Sequence, residues 1–95
     1  MYARRTPYRV DPARFEEVHR FTEERLIPAF RRLPGFRHYF VIGDRTTGGG
    51  YSLTILDTAD QANAVRDALG DLVPQLQALG LQLDAPEIHE VVTHA

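Results

Sequence analysis

Two polar residues one helical turn apart, His19 and Thr22, fall within an arc of apolar residues. Phe15, Val18, Leu26, Ala29, Phe30 and Leu33 share that arc when the segment is laid out at 100° per residue. An imidazole takes or gives a proton near neutral pH, so a histidine facing a sheet from a helix is a candidate catalytic base or hydrogen-bond partner. On this reading His19 is the candidate catalytic residue and Thr22 a pocket residue that helps to orient a phenolic ligand. The plainer alternative is that each group hydrogen-bonds within the core.

Other side chains that can do chemistry lie on extended segments. His38 stands among Phe36, Phe40 and Ile42. It either joins His19 across the interior or, if its strand face is turned the other way, sits in a dimer interface, because a one-residue slip in register reverses every side chain. Tyr8, Tyr39 and Tyr51 are phenolic donors on strands; the favoured reading of each is structural, a core ring with its hydroxyl at the edge. Arg37 offers a charge to an anionic ligand, or is a solvated or interface arginine. Tyr39, Tyr51, Arg37 and His38 are counted with Thr22 as candidate pocket residues. No metal site is expected: His89 and His94, five apart on a strand, point to opposite faces. Gly48-Gly49-Gly50 is not a phosphate loop, since no Lys-Ser/Thr follows and a strand comes next.

The elements that must position these residues follow from the same sequence. Pro34-Gly35 stops a helix, and Phe36 to Leu56 reads as a β-hairpin around a polar turn at 43–50. Alternation puts Phe36, His38, Phe40 and Ile42 on one side of the first hairpin strand and Arg37, Tyr39 and Val41 on the other. Both sides of the hairpin are apolar enough to be covered, one by helices and one by a partner subunit. Residues 1–10 form the first strand candidate, with a bulge or strand end expected near Pro7. Asp11-Pro12 opens the first helix, which Pro28 kinks near its last turns. Asp57-Thr58-Ala59-Asp60 caps a second helix whose buried stripe is Ala62, Val65, Leu69, Val73 and Leu76; Gly70-Asp71 breaks it and Gly80 ends it. Residues 81–85 read as a connector and 86–94 as the last strand. The order is β-α-β-β-α-β, an α+β ferredoxin-like arrangement: a four-stranded antiparallel sheet with both helices on one face, in a single domain spanning 1–95.

Composition narrows the function classes. The 95 residues carry 43% hydrophobic and 25% charged side chains and a net charge of −2, which argues against a dedicated nucleic-acid binder. The strand from Phe36 to Gly43 also lacks the paired aromatics in a basic RNP-type motif that RNA recognition on such a sheet needs. With no cysteine there is no disulfide, thiolate nucleophile or Cys-based zinc site. No apolar run approaches membrane-spanning length and the N-terminus is not a signal peptide, so a cytoplasmic protein without membrane contact is expected. A chain of this size buries roughly 60–65% of its unfolded surface and gains from oligomerisation.

Asp11-Pro12, Ile27-Pro28, Leu33-Pro34-Gly35-Phe36 with Tyr39, and Leu56-Asp57-Thr58 together carry a resemblance that covers nearly the whole chain. The chain resembles the small dimeric α+β barrel proteins, in particular the antibiotic-biosynthesis-monooxygenase-like group. The resemblance implies a homodimer whose two sheets close face to face into a barrel, with a small aromatic or apolar ligand between sheet and helices. It also implies an oxygenation that uses neither metal nor flavin, hence no cofactor. The alternative is a non-catalytic ligand-binding or interaction protein of the same fold. Catalytic relatives use a tryptophan, and this chain has none; haem-degrading relatives use an asparagine near the first strand, where this chain reads Tyr-Ala-Arg-Arg-Thr. The only asparagine, Asn63, lies at the edge of the second helix's buried stripe and is counted with the pocket residues.

Overall fold

The computed structural model describes residues 1–95. In chain order the elements are β1 (Tyr2–Arg9), a 3-10 turn (Pro12–Arg14), α1 (Phe15–Phe21), a π turn (Thr22–Leu26), α2 (Ile27–Arg31), β2 (Phe36–Gly43), β3 (Gly49–Leu56), α3 (Ala59–Asn63), α4 (Val65–Leu69), α5 (Leu72–Ala78), β4 (Gln82–Leu83) and β5 (Glu87–Glu90). All strand pairs are antiparallel. β1 lies in the middle, flanked by β3 on one side and by β4 and β5 on the other, and β2 closes the far edge. This is the ferredoxin-like order, with the last strand laid down in two pieces.

Local chemistry explains the helices. The Asp11 carboxylate accepts from the Ala13 amide at 2.9 Å, and Pro12 needs no donor at the first position. Pro28 does not simply kink the helix. It lacks the amide that would reach back to Glu24, and the chain answers one turn earlier by widening into a π turn, in which the Ile27 amide donates to the Thr22 carbonyl. Thr58 and Gln61 form a reciprocal capping box at the start of α3. The expected stripe is the buried face: Ala62, Val65, Leu69, Val73 and Leu76 join Val10, Val18, Leu26, Phe30, Leu56 and Leu81 in one core. Gly70, at a φ of 54°, breaks the second helix where expected; a second interruption falls at Ala64.

Three expectations about the strands are corrected. First, Phe36 pairs with Leu56 but His38 pairs with Ile55, so Arg37 is an extra, bulged residue. The alternation reverses there. Phe36 and Tyr39 share the helix-facing side, both packing on Phe30 with ring centroids 6.1 and 4.1 Å away, while His38, Phe40 and Ile42 face outward. Second, β1 runs straight through Pro7. The bulge lies opposite it, at residues 84–86 between β4 and β5, where the register against β1 shifts by one. The Pro7 carbonyl accepts from the Asp84 amide, so the donor that Pro7 lacks would also have pointed at this interrupted edge. Third, the expected strand over 86–94 ends at Glu90, and residues 82–83, read as connector, already pair with Tyr8 and Arg9. No helix is long and apolar enough to cross a membrane.

Candidate functional site

The inner face of the sheet is built in rows set by the strand register. Arg4, Thr54 and Tyr39 make one row across β1, β3 and β2; Thr6, Ser52 and Val41 make the next; Tyr8, Gly50 and Gly43 make the third. Apart from Val41 and the glycines, these are polar or phenolic side chains, on the face that the helices cover. The glycines are there for space: a Cβ on Gly50 would collide with the Ile42 carbonyl, and one on Gly43 would collide with the Tyr8 hydroxyl. The Tyr8 ring therefore lies over a glycine slot, and its hydroxyl donates to the Ile42 carbonyl at 3.4 Å.

Between these rows and the helices is a cavity of about 90 Å³. Leu26, Phe30, Leu69 and Val73 form its apolar wall; Arg4, Tyr39 and Ser52 form its polar floor, and Arg66 reaches it from α4. Burial pushes the Tyr39 phenol far above its ordinary value. Tyr8 adds to the shift, and Ser52 and Arg4 oppose it. Burial also raises Tyr8. Both phenols are therefore neutral donors at physiological pH. Burial lowers the Arg4 guanidinium from its ordinary value, Arg66 lowers it further and Tyr39 opposes.

Among the residues singled out in the sequence, Tyr8, His19, Thr22 and Tyr39 line this cavity. His19 sits at its rim, half-buried, with Nε2 2.7 Å from Glu23 Oε1, so the carboxylate engages one ring nitrogen and leaves Nδ1 for a proton transfer. Thr22 is buried, but its hydroxyl donates to the Val18 carbonyl at 3.0 Å and is taken up by the helix backbone. The other four lie elsewhere. His38 is on the outer face, stacked on Phe40 with centroids 6.1 Å apart. Tyr51 is on the same outer face, under the Arg5 guanidinium at 4.5 Å. Arg37 is the bulged residue and pairs with Asp57. Asn63 donates from its side chain to the Ala59 carbonyl, capping its own helical turn.

The cavity also holds Arg4, Ser52 and Arg66, which the sequence reading passed over. A signal existed for Arg4: it alternates with Tyr2, Thr6 and Tyr8, an unbroken polar and aromatic set on one side of a strand. Arg66, beside the stripe residue Val65, looks like any solvated helix arginine.

No family model matches the sequence, and no curated protein matches it. Solved structures do. An antibiotic biosynthesis monooxygenase structure from Deinococcus radiodurans superposes with a TM-score of 0.77 at 13% identity, over 100% of this chain and 96% of that one. A variant of SnoaB, a cofactor-independent oxygenase from Streptomyces nogalater, gives 0.66 at 20% identity, over 98% and 94%. The monooxygenase ActVA-Orf6 of Streptomyces coelicolor, in complex with Nanaomycin D, gives 0.68 at 16% identity, over 99% and 92%. At these identities the shared property is the fold: this chain has the antibiotic biosynthesis monooxygenase fold.

Proposed function

We propose that this protein is a homodimer that binds a small aromatic or largely apolar molecule in the cavity of each subunit and oxygenates it without a cofactor. The observation that carries this reading is the covered cavity, apolar on its helix side and lined by Arg4, Tyr39 and Ser52 on its sheet side. A few convergent polar groups in an apolar cavity orient a ligand. The fold, shared with a cofactor-independent oxygenase, supports the class of reaction.

The chemistry needs little from the protein. An activated ring methylene loses a proton, and the resulting carbanion or phenolate reacts directly with dioxygen. Conversion of the methylene to a carbonyl consumes one O₂ and releases one water, with the substrate supplying the electrons. His19, at the rim and held by Glu23, is the proposed base; neutral Tyr39 and cationic Arg4 stabilise the developing oxyanion. The dimer would form through the outer sheet face, where Phe40 and Ile42 are 48% and 41% exposed beside Leu53 and Ile55.

A second reading, a ligand-binding protein without catalysis, is favoured by Thr22, whose hydroxyl is already spent on the helix backbone. Air-saturated buffer with an anthrone as probe separates the two. The expected result is protein-dependent O₂ uptake with the quinone as product, lost in His19→Gln while the protein still melts cooperatively. Probe binding without O₂ uptake would leave the binding reading alone.

A further inference from the structure

Arg4 and Arg66 are two guanidinium groups at one cavity, and neither has a carboxylate within ion-pair distance. The ion pairs of the molecule lie elsewhere: Arg14 with Glu17, Arg37 with Asp57 and Arg45 with Glu16. Arg4 is half-buried in the middle of the inner sheet face, between Thr54 of β3 and Ile88 of β5. Its one side-chain hydrogen bond runs from Nη1 to Thr6 Oγ1 at 3.1 Å, which leaves most of the guanidinium's five donors without a protein partner. Arg66 is close enough to raise the cost of Arg4's charge rather than relieve it.

Arg66 is exposed and solvated, whereas Arg4 is half-buried beside the apolar wall, where an unpaired charge is unfavourable. Asp84 also lines the cavity, but its amide bonds to the Pro7 carbonyl, three residues along β1 from Arg4. At about 3.3 Å per residue that is roughly 10 Å from the Arg4 backbone, and no ion pair forms. The half-buried Arg4 is therefore without a carboxylate partner in the chain.

We propose that the cavity's ligand is an organic anion, an apolar ring system bearing a carboxylate, whose oxygens lie between Arg4 and Arg66 with the Tyr39 hydroxyl as a further donor. A guanidinium matches a carboxylate with two parallel hydrogen bonds, and the low dielectric strengthens both. Leu26, Phe30, Leu69 and Val73 receive the ring system. The inference rests on the ligand-binding reading above and adds to it the charge of the substrate.

The test compares 2-naphthoate with its neutral counterpart 2-naphthalenemethanol, followed by ligand fluorescence anisotropy. The protein has no tryptophan to interfere. The naphthoate is expected to bind about tenfold or more tightly than the alcohol. Arg4→Gln and Arg66→Gln should each weaken naphthoate by about tenfold and weaken the alcohol several-fold less, so that the preference for the acid falls. Arg45→Gln, on the surface beside Glu16, should change neither. Equal affinity for acid and alcohol would overturn the anion inference and keep the cavity reading. Binding of neither would overturn the cavity reading itself. Arg4→Lys guards against a folding artefact: it keeps the charge and should retain an intermediate preference for the acid, and equal affinity for acid and alcohol in a cooperatively folded Arg4→Lys protein would also count against the proposal.

Discussion

Both faces of the sheet mix polar and apolar side chains, where a sheet with one wet side would segregate them. The inner face, covered by helices, presents Arg4, Thr6, Ser52 and Thr54 beside Tyr8, Phe36, Tyr39, Val41 and Leu56; the outer face, which no helix covers, presents Phe40, Ile42, Leu53 and Ile55 beside Arg5, His38 and Tyr51. A sheet with one wet side ordinarily keeps its apolar side chains toward the helices. Here the helices bring the apolar wall, and the sheet supplies the polar groups to the space between. The outer face keeps its own apolar side chains in reserve. The mixture is what the proposed function asks of each face: polar groups inside to orient a ligand, and apolar groups outside for a second sheet.

The sharpest way to separate the faces is a pair of leucines three residues apart on β3. Leu56 is 1% exposed on the inner side, and Leu56→Ala should cost about 2–5 kcal/mol of stability at every protein concentration. Leu53 faces outward, paired with Phe40 and Arg5. Leu53→Asp should leave the subunit folded and dissociate the proposed dimer. Light scattering would then give the monomer mass, and the melting temperature would lose its concentration dependence. A dimer that survives Leu53→Asp would end the assignment of the outer face as interface.

A smaller effect is expected at the glycine slot. Gly50→Ala forces a methyl group against the Ile42 carbonyl and the Tyr8 hydroxyl, and should cost about 1–3 kcal/mol in chemical denaturation. Its neighbour Gly49, with nothing nearer than 3.7 Å, should tolerate alanine within about 0.5 kcal/mol. Equal costs at the two positions would show that Tyr8 does not depend on the slot.

The smallest effect is a pH dependence from the inner-face phenols. Tyr39 and Tyr8 are raised above the ordinary tyrosine value, so their neutral forms favour the folded state. That stability is complete below about pH 10 and is lost as the pH rises from there toward the folded values. With no lysine in the chain, no ammonium group competes in this window. Tyr39→Phe should flatten the decline above about pH 10 by up to about 1.4 kcal/mol per pH unit, measured by urea denaturation. An unchanged slope would mean that Tyr39 is more open to water than its place beside Phe30 implies.

The helices were legible because their signals are local. Asp11-Pro12, the Thr58 capping box, Gly70 and the stripe from Ala62 to Leu76 each act through neighbours within a turn or two, and each is where the sequence predicts it. The hairpin was legible for the same reason. Its faces were not. A single bulged residue, Arg37, reverses the alternation, and nothing in the run Phe36-Arg37-His38-Tyr39 distinguishes a bulge from a regular strand. That one residue sends Tyr39 to the cavity and His38 to the outer face.

Sequence alone determined the β-α-β-β-α-β order, where each helical segment starts and the helical face that carries His19 and Thr22, because periodicity and capping are properties of short stretches. Only the tertiary structure decided which polar groups meet. Arg4 on β1 and Arg66 on α4 are 62 positions apart in the chain. Strand register and the docking of α4 bring them to one cavity, and pairing across such distances depends on the shape of the whole sheet rather than on any local pattern.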